Sequence, residues 1–200
     1  MIAFQYNKTS LQHLEKQLKM RVRTLPIIKS KESALRVEVK KCKAEMERHD
    51  EEYAQQLEQY RALFALWNEF DASLVKTGEL MIGQQKVAGV KVPVLENASF
   101  IVSRFSLFNS PKWFADGIEF LKEMAMTAIR RELLERKLRL LEVARKKTTQ
   151  KVNLFEKVQI PGYQDAIRKI KRFMEDEENL SKSSQKILKS LLEQREEAGV

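Results

Sequence analysis

Residues 35–53, LRVEVKKCKAEMERHDEEY, contain the pattern that decides the fold of this 200-residue chain. Their seam positions are separated by alternating steps of four and three residues: Leu35, Val39, Cys42, Met46, His49 and Tyr53. This heptad spacing keeps one stripe of a helix directed at a partner helix, whereas a half-buried strand alternates at every second residue. The stretch therefore predicts one helix of a coiled coil.

The heptad stripe extends beyond this stretch toward the C-terminus. Its further members are Leu57, Tyr60, Phe64, Trp67, Phe70 and Leu74, and no glycine interrupts residues 10–77. Upstream, Thr9 and Gln12 have the spacing of a capping box, in which both side chains satisfy backbone N–H groups at a helix start near Ser10. We therefore predict a long N-terminal helix over residues 9–77.

A second long helix is predicted over residues 111–198, with Ser110 as its N-cap and Pro111 in its first turn. Its stripe again follows steps of four and three through Phe114, Ile118, Leu121, Ala125 and Ala128, and later through Tyr163, Ile167, Ile170 and Met174. Polar residues interrupt the stripe from Glu177 onward. This end is therefore expected to pack weakly unless a partner covers it.

Residues 78–110, between the two helices, show a different pattern. Val90, Val92 and Val94 alternate with other residues, and Glu96-Asn97 form a possible turn. Alternation and turn residues together predict a short β-hairpin or loop region. Two helices joined by such a connection run antiparallel. The predicted fold is therefore all-α, a long antiparallel two-helix coiled coil with a short β-hairpin or loop in the middle.

The antiparallel arrangement predicts a register for a single elongated domain over residues 1–200. Folding at the middle pairs residues whose numbers sum to roughly 187. This register places Pro26 level with Pro161, so that both interruptions of backbone hydrogen bonding lie at one height. It also brings Asp50 close to Arg131, where their opposite charges attract.

The charge distribution is uneven along the predicted helices. The chain has a net charge of +9, and residues 16–43 carry ten basic side chains against two acidic ones. Residues 145–172 carry nine against two, and the register places the two segments opposite each other. We call this region the basic collar. It predicts an acidic partner, although a solvated basic face remains the alternative.

Several classes of site are excluded or disfavoured by composition. One cysteine and two histidines cannot form an internal disulfide or a protein-only zinc site of the usual kind. The stretch from Gly83 to Gly89 lacks the spacing of a phosphate-binding loop. Cys42 and His49 share a helix face and could contact a metal, but their seam positions favour packing. We expect no catalytic site, no metal and no cofactor.

The chain shows no sign of membrane insertion. No stretch approaches the roughly 18 apolar residues that cross a bilayer, and the first residues lack the pattern of a signal peptide. A cytoplasmic protein without direct membrane insertion is therefore expected.

Two strings are more specific than helical periodicity. Residues 146–162, KKTTQKVNLFEKVQIPG, closely resemble the signature of the D subunit of V-type and A/V-type rotary ATPases. In that family two basic residues precede Val-Asn, followed by Ala-Leu-Glu, an apolar run and Pro. Here Gln150 replaces the first basic residue, and Leu154-Phe155 replace Ala-Leu. Residues 86–93, KVAGVKVP, are similar to the family's Asn-Val-Ala-Gly-Val segment, and residues 25–35 give a weaker third match.

The resemblance implies a non-catalytic central-stalk subunit, a rotor shaft that transmits torque. Its implied partners are the catalytic and non-catalytic A and B subunits of the ring, the F subunit, and the cup-like subunit on the membrane rotor. ATP chemistry would belong to the ring, and the chain would be peripheral to the membrane.

The basic collar and the middle region supply the residues predicted to contact these partners. The predicted ring contacts are Arg21, Arg23, Lys29, Lys31, Lys146, Lys147, Lys151, Asn153, Lys157 and Pro161. The predicted lower-stalk contacts are Val87, Gly89, Val90 and Pro93.

Two other functions would use the same general features. A generic coiled-coil scaffold explains the heptads and the charge, but not the two specific strings. A nucleic-acid-binding arm would use the basic collar, yet the sequence contains no recognition module, and we expect no nucleic acid partner. The sequence leaves open proton or sodium coupling, and synthesis or hydrolysis.

Overall fold

The computed structural model of the chain describes residues 2–59, 61, 70–104 and 111–197. In chain order the elements are helix α1 (Lys8–Gln59), a 3-10 turn (Ala72–Leu74), strands β1 (Val75–Val87) and β2 (Val90–Val102), helix α2 (Phe114–Asn153), a π-helical turn (Leu154–Gln159) and helix α3 (Ile160–Glu197). The predicted fold class is confirmed, because long helices dominate and the strands form one antiparallel hairpin between them in sequence.

The chain forms two compact units. We call Met1–Ser30 with Thr149–Val200 the terminal unit, and Lys31–Thr148 the middle unit. Each unit contains part of the N-terminal helix and part of the C-terminal helical segment, and each has its own apolar core.

Helix α1 begins at Lys8, and its N-cap is Asn7. The Asn7 side chain accepts a hydrogen bond from the backbone N–H of Ser10 at 2.7 Å, and the Ser10 hydroxyl accepts one from the N–H of Gln5 at 3.3 Å. The predicted capping box at Thr9 is therefore wrong. Asparagine is as good an N-cap as threonine or better, and the cap at Asn7 places Thr9 inside the first turn.

The core of the terminal unit is a seam between α1 and α3. Its buried residues are Leu14, Ala166, Ile167 and Ile170, with Tyr163 and Met174 partly buried beside them. The predicted stripe of the C-terminal helix is thus confirmed here. Glu15 forms an ion pair with Lys171 at 3.0 Å, and Lys29 bonds to Glu156, so the partner's number falls as the number along α1 rises and the two segments are antiparallel.

The two prolines of the terminal unit have different effects. Helix α1 continues through Pro26, whereas the six residues before Ile160 form a π-helical turn. Arg21 bonds to Gln159 and Lys29 bonds to Glu156. Pro26 therefore lies opposite the π-helical turn, slightly before the predicted level of Pro161.

The core of the middle unit contains the heptad seam predicted from residues 35–53. Leu35, Val39 and Cys42 are buried against Leu138 and Leu141, as the four-and-three spacing predicts. Ion pairs fix the register: Lys43 meets Glu142 at 3.0 Å, and the sum of their numbers, 185, is close to the predicted 187. The predicted proximity of Asp50 and Arg131 is confirmed by an ion pair at 2.5 Å.

The two strands are joined by a two-residue turn at Ala88-Gly89. These residues have φ values of 48° and 78°, as a type I′ turn requires, and glycine adopts the second without steric cost. The predicted turn at Glu96-Asn97 is wrong, since both residues lie within β2 and Asn97 pairs with Met81. Local turn propensity is overridden there by the pairing of two long strands.

The element boundaries around the hairpin differ from those expected. Strand β1 begins at Val75, so residues 75–77 are extended rather than helical. Helix α2 begins at Phe114, three residues after the expected start. The backbone N–H of Phe114 donates a hydrogen bond to the carbonyl oxygen of Pro111. The expected cap, Ser110, lies outside the described residues, as do the seam positions Tyr60, Phe64 and Trp67.

The hairpin packs lengthwise on the helices of the middle unit. At its base, Val75 and Val102 pack against a cluster of Phe70, Phe114 and Ile118. At its tip, the apolar residues join the heptad core: Val87, Ala88, Val90 and Val92. A 13-residue strand at ~3.3 Å per residue spans about 43 Å. Phe114 of the first cluster and Leu141 of the second are 27 residues apart on α2, about 40 Å at ~1.5 Å per residue, so the lengths match.

Candidate functional site

Five of the collar cations predicted to contact the ring lie in the terminal unit, and Arg21 is the one most firmly held. Its Nε donates to Gln159 Oε1 at 2.7 Å, and its Nη1 donates to Gln17 Oε1 at 2.5 Å. The guanidinium also lies 4.6 Å from the centre of the Tyr163 ring, a cation–π contact. Arg21 therefore links α1 to the π-helical turn and to α3 within this unit.

The other four predicted ring-contact cations of the terminal unit differ in their pairing. Lys29 forms an ion pair with Glu156 at 2.7 Å, but both side chains are 46% exposed, so the pair contributes little to stability. Lys151 lies 5.9 Å from the Phe155 ring centre. Arg23 and Lys157 are exposed and form no ion pair with a described residue. The collar residues Asn153 and Pro161 are exposed on the same unit.

The middle unit carries the other three cations predicted to contact the ring, Lys31, Lys146 and Lys147, all of them exposed. The Lys31 Nζ lies 3.4 Å from the position that a Cβ on Gly89 would occupy. Lys31 is therefore a neighbour of the hairpin turn. The structure brings together one residue predicted to contact the ring and one predicted to contact the lower stalk.

The predicted lower-stalk residues have unequal access to a partner. Val87 and Val90 are half-buried against the heptad core, so part of each side chain serves internal packing. Gly89 is exposed at the turn. Pro93 lines a cavity of about 390 Å³ whose other walls include His49 and Leu133.

The seam residues considered as metal ligands have other contacts. The Cys42 Sγ lies 3.7 Å from the Leu134 carbonyl oxygen, and burial raises the pKa of its thiol. His49 Nδ1 lies 2.8 Å from Glu52 Oε2. Among the described residues, no three His, Cys, Asp or Glu side chains are grouped as metal ligands.

The structure contains a basic groove that was not predicted from the sequence. It is a concavity of about 400 Å³ between α1 and α2 in the middle unit, lined by Arg36, Val39, Lys40, Lys43, Ala44, Glu47 and Arg145. The Nε of Arg145 is shielded from solvent and has no hydrogen-bond acceptor among the described residues. The spacing of Arg145 could have indicated this groove. Arg145 follows the buried Leu141 by four residues, so it lies on the seam side of α2.

About the last five turns of α3 carry an exposed apolar stripe. Its members are between 52% and 69% exposed: Leu180, Ile187, Leu188, Leu191 and Leu192. Since Glu15 meets Lys171, the first residue of α1, Lys8, lies opposite about residue 178. Helix α3 therefore continues beyond the end of α1. None of the described helices is long and apolar enough to cross a bilayer.

Comparison with known proteins gives one consistent result. The family model that describes the D subunit of ATP synthase matches residues 10–190. A V-type ATP synthase D subunit of Chlamydia felis is 30% identical over 190 residues, which cover 92% of this chain and 91% of that protein. The same-named protein of Borreliella burgdorferi is 29% identical over 188 residues, covering 92% and 93%. The similarity therefore extends over nearly the full length of both relatives.

Proposed function

Because the chain belongs to the family of ATP synthase D subunits and is part of a V-type rotary ATPase, we propose that it is the non-catalytic central shaft of that complex. In this role it transmits torque between the ring of A and B subunits, where ATP is hydrolysed or made, and the rotor in the membrane. It acts from the cytoplasmic side, peripheral to the membrane.

The observation that carries this proposal is the apolar stripe at the end of α3. Complete burial of a leucine or isoleucine side chain is worth roughly 1.5–3 kcal/mol. Five such side chains on one exposed helix surface indicate a site that a partner covers. The axial opening of a ring of subunits is a partner of suitable shape, because a helix end can enter it.

The paired helices of the terminal unit suit torque transmission. A two-helix pair is asymmetric, so within a three-fold ring it presents a different face to each of three equivalent sites. Those faces bias the sites toward different conformations, which couples rotation to nucleotide occupancy.

The exposed collar cations suit a moving interface. Arg23, Lys151 and Lys157 are accessible, and we assign them contacts with acidic loops of the ring, together with Lys31, Lys146 and Lys147. Electrostatic attraction acts over a longer distance than apolar packing and depends less on close fit. Arg21 would act mainly by fixing the helix pair, since it is already bonded within the terminal unit, whereas Lys29 can exchange its exposed partner Glu156 for a ring carboxylate.

The hairpin is assigned to the lower stalk, where the F subunit and the cup-like subunit would bind. Gly89 and Pro93 offer direct contacts, and Val87 and Val90 support them from beneath. The outer surface of the hairpin adds exposed apolar side chains at Met81, Ile82 and Ile101.

Co-expression tests the proposal. The chain is produced with the A, B and F subunits of its own organism, and the product is analysed by size-exclusion chromatography and ATPase assay. We expect one complex in which this chain joins the ring to the F subunit. Charge reversal at Arg23, Lys151 and Lys157 together should weaken that complex. Absence of a complex, with tight and salt-dependent binding of nucleic acid instead, would overturn the proposal.

A further inference from the structure

The basic groove of the middle unit has a charge balance that its own residues do not complete. Four cations line it, and two of them are paired: Arg36 with Glu32 at 2.9 Å and Lys43 with Glu142 at 3.0 Å. Lys40 and Arg145 form no ion pair with a described residue, and Glu47 is the one acidic residue in the lining. With these three carboxylates counted, one positive charge remains.

Arg145 also has an unused hydrogen-bond donor. Its Nε–H is shielded from solvent without an acceptor among the described residues, and a buried donor left unpaired destabilises the state that contains it. Because Nε is not bonded within this part of the chain, rotation of the side chain into the groove breaks no hydrogen bond at that atom. Nε and one Nη would then present the two parallel N–H donors that match a carboxylate.

We propose that Arg145 and Lys40 bind a carboxylate of an Asp or Glu side chain that a ring subunit contributes. This inference rests on the proposed function, and it identifies the chemistry of one contact between shaft and ring. A single carboxylate brings the groove to neutrality, whereas a phosphate dianion would leave an excess of negative charge beside Glu47. A volume of about 400 Å³, open to solvent, also accommodates a peptide segment rather than a small ion alone.

The first test measures the affinity of the purified chain for a ring assembled from the A and B subunits of the same organism. Arg145→Met is expected to weaken binding about 10- to 100-fold, since a hydrogen-bonded charge is worth about 1.5–3 kcal/mol. The melting temperature of the isolated variant should stay equal or rise, because an unpaired donor is removed. Arg139→Met is the matched control, since Arg139 is exposed on the same helix and pairs with Glu135. It should bind like the unmodified chain.

The second test identifies the partner group. A carbodiimide activates carboxylates for coupling to nearby amines, so Lys40 should become linked to an Asp or Glu of the ring, detected by mass spectrometry. Lys40→Arg keeps the charge but removes the reactive amine, and it should abolish this link while ring binding persists.

The outcomes separate the two proposals. If the unmodified chain binds the ring, while Arg145→Met binds equally well and Lys40 forms no link, the carboxylate site is wrong and the shaft function stands. If the unmodified chain does not bind the ring, both proposals fail. If inorganic phosphate raises the melting temperature of the unmodified chain but not of Arg145→Met, and no link forms, the groove binds a free anion and the assignment to a ring carboxylate is overturned.

Discussion

The backbone N–H of Ile160 donates its hydrogen bond to the carbonyl of Phe155, five residues earlier, where an α-helix would bond four residues earlier. The cause is the next residue. Pro161 has no N–H, and in a regular helix its ring would clash with the carbonyl of Lys157. A wider π-helical turn relieves that clash without ending the helix. The turn lies opposite Pro26, so backbone hydrogen bonding is reduced in both helices of the terminal unit at nearly the same height.

Replacement of this proline tests the explanation. Pro161→Ala should raise the free energy of unfolding of the isolated chain by about 1 kcal/mol. Alanine restores an N–H donor and avoids a helix penalty of about 3 kcal/mol, but the unfolded variant gains conformational entropy, which offsets part of the effect. Urea denaturation measures the change. A loss of stability would show that other contacts, such as that between Arg21 and Gln159, set the wide turn.

The hairpin turn should be sensitive to loss of its glycine. Gly89→Ala should lower the free energy of unfolding by about 1–2 kcal/mol, because Gly89 has a φ of 78° and a Cβ is strained there. The nearest atom to that Cβ would be Lys31 Nζ at 3.4 Å, an ordinary contact, so the backbone accounts for the effect. Lys86→Ala, at an exposed strand position, is the control and should change stability by under about 0.5 kcal/mol. Equal values for the two variants would contradict the assigned turn.

The docking of the hairpin on the helices can be tested at two neighbouring positions of β2. Val92→Ala should destabilise the chain by about 2 kcal/mol, since Val92 is 1% exposed among the heptad residues and its loss removes buried methyl groups. Val94→Ala, at a position that is 37% exposed, should cost under about 1 kcal/mol. Thermal or urea unfolding gives both values. A larger effect at Val94 would contradict the docking of β2 on the heptad core through Val92.

Features that depend on neighbouring residues were predictable from the sequence, whereas features that depend on contacts between distant residues were not. The seam at Leu35, Val39 and Cys42 was predictable because heptad spacing is local and constrains one helix face. The turn at Ala88-Gly89 was missed in favour of Glu96-Asn97, since local propensity does not register the pairing of two 13-residue strands. Alternation of the valines showed that one strand face is buried, but not that α1 and α2 cover it.

The candidate contacts show the same division. Sequence located the cations of the collar, because charge is a property of each residue. It could not show that Arg21 bonds to Gln159 or that Lys29 bonds to Glu156, since each of these bonds joins positions more than 120 residues apart. Arg145 was counted within the collar but not singled out, because its unpaired Nε–H depends on packing around α2.

The buried thiol should make stability dependent on alkaline pH. Burial raises the pKa of Cys42 above 9.0, with nearby Lys137 opposing and Glu45 adding to the increase. As the pH rises through about 9, the unfolded chain loses the thiol proton while the folded chain keeps it. The unfolded state then binds fewer protons, so stability falls until the pH reaches the folded-state pKa. Cys42→Ala should remove this part of the slope in urea unfolding measured from pH 8 to pH 10. Identical slopes for the variant and the unmodified chain would contradict it.

Substitutions in the apolar stripe of α3 can distinguish a role in partner binding from a role in the fold. Leu188→Asp and Leu191→Asp should each leave the melting temperature of the isolated chain nearly unchanged, because these side chains are 60% and 52% exposed. The same variants should weaken ring binding by about tenfold or more, since a charge would enter an apolar interface. Gln185→Asp is the control, because it adds the same charge at an exposed polar position of the same helix. If all three variants weaken binding equally, net charge rather than the apolar stripe controls assembly, and the stripe does not enter the ring. If the leucine variants instead unfold at lower temperature, the stripe is part of the chain's own packing, and its exposure is no argument for a partner.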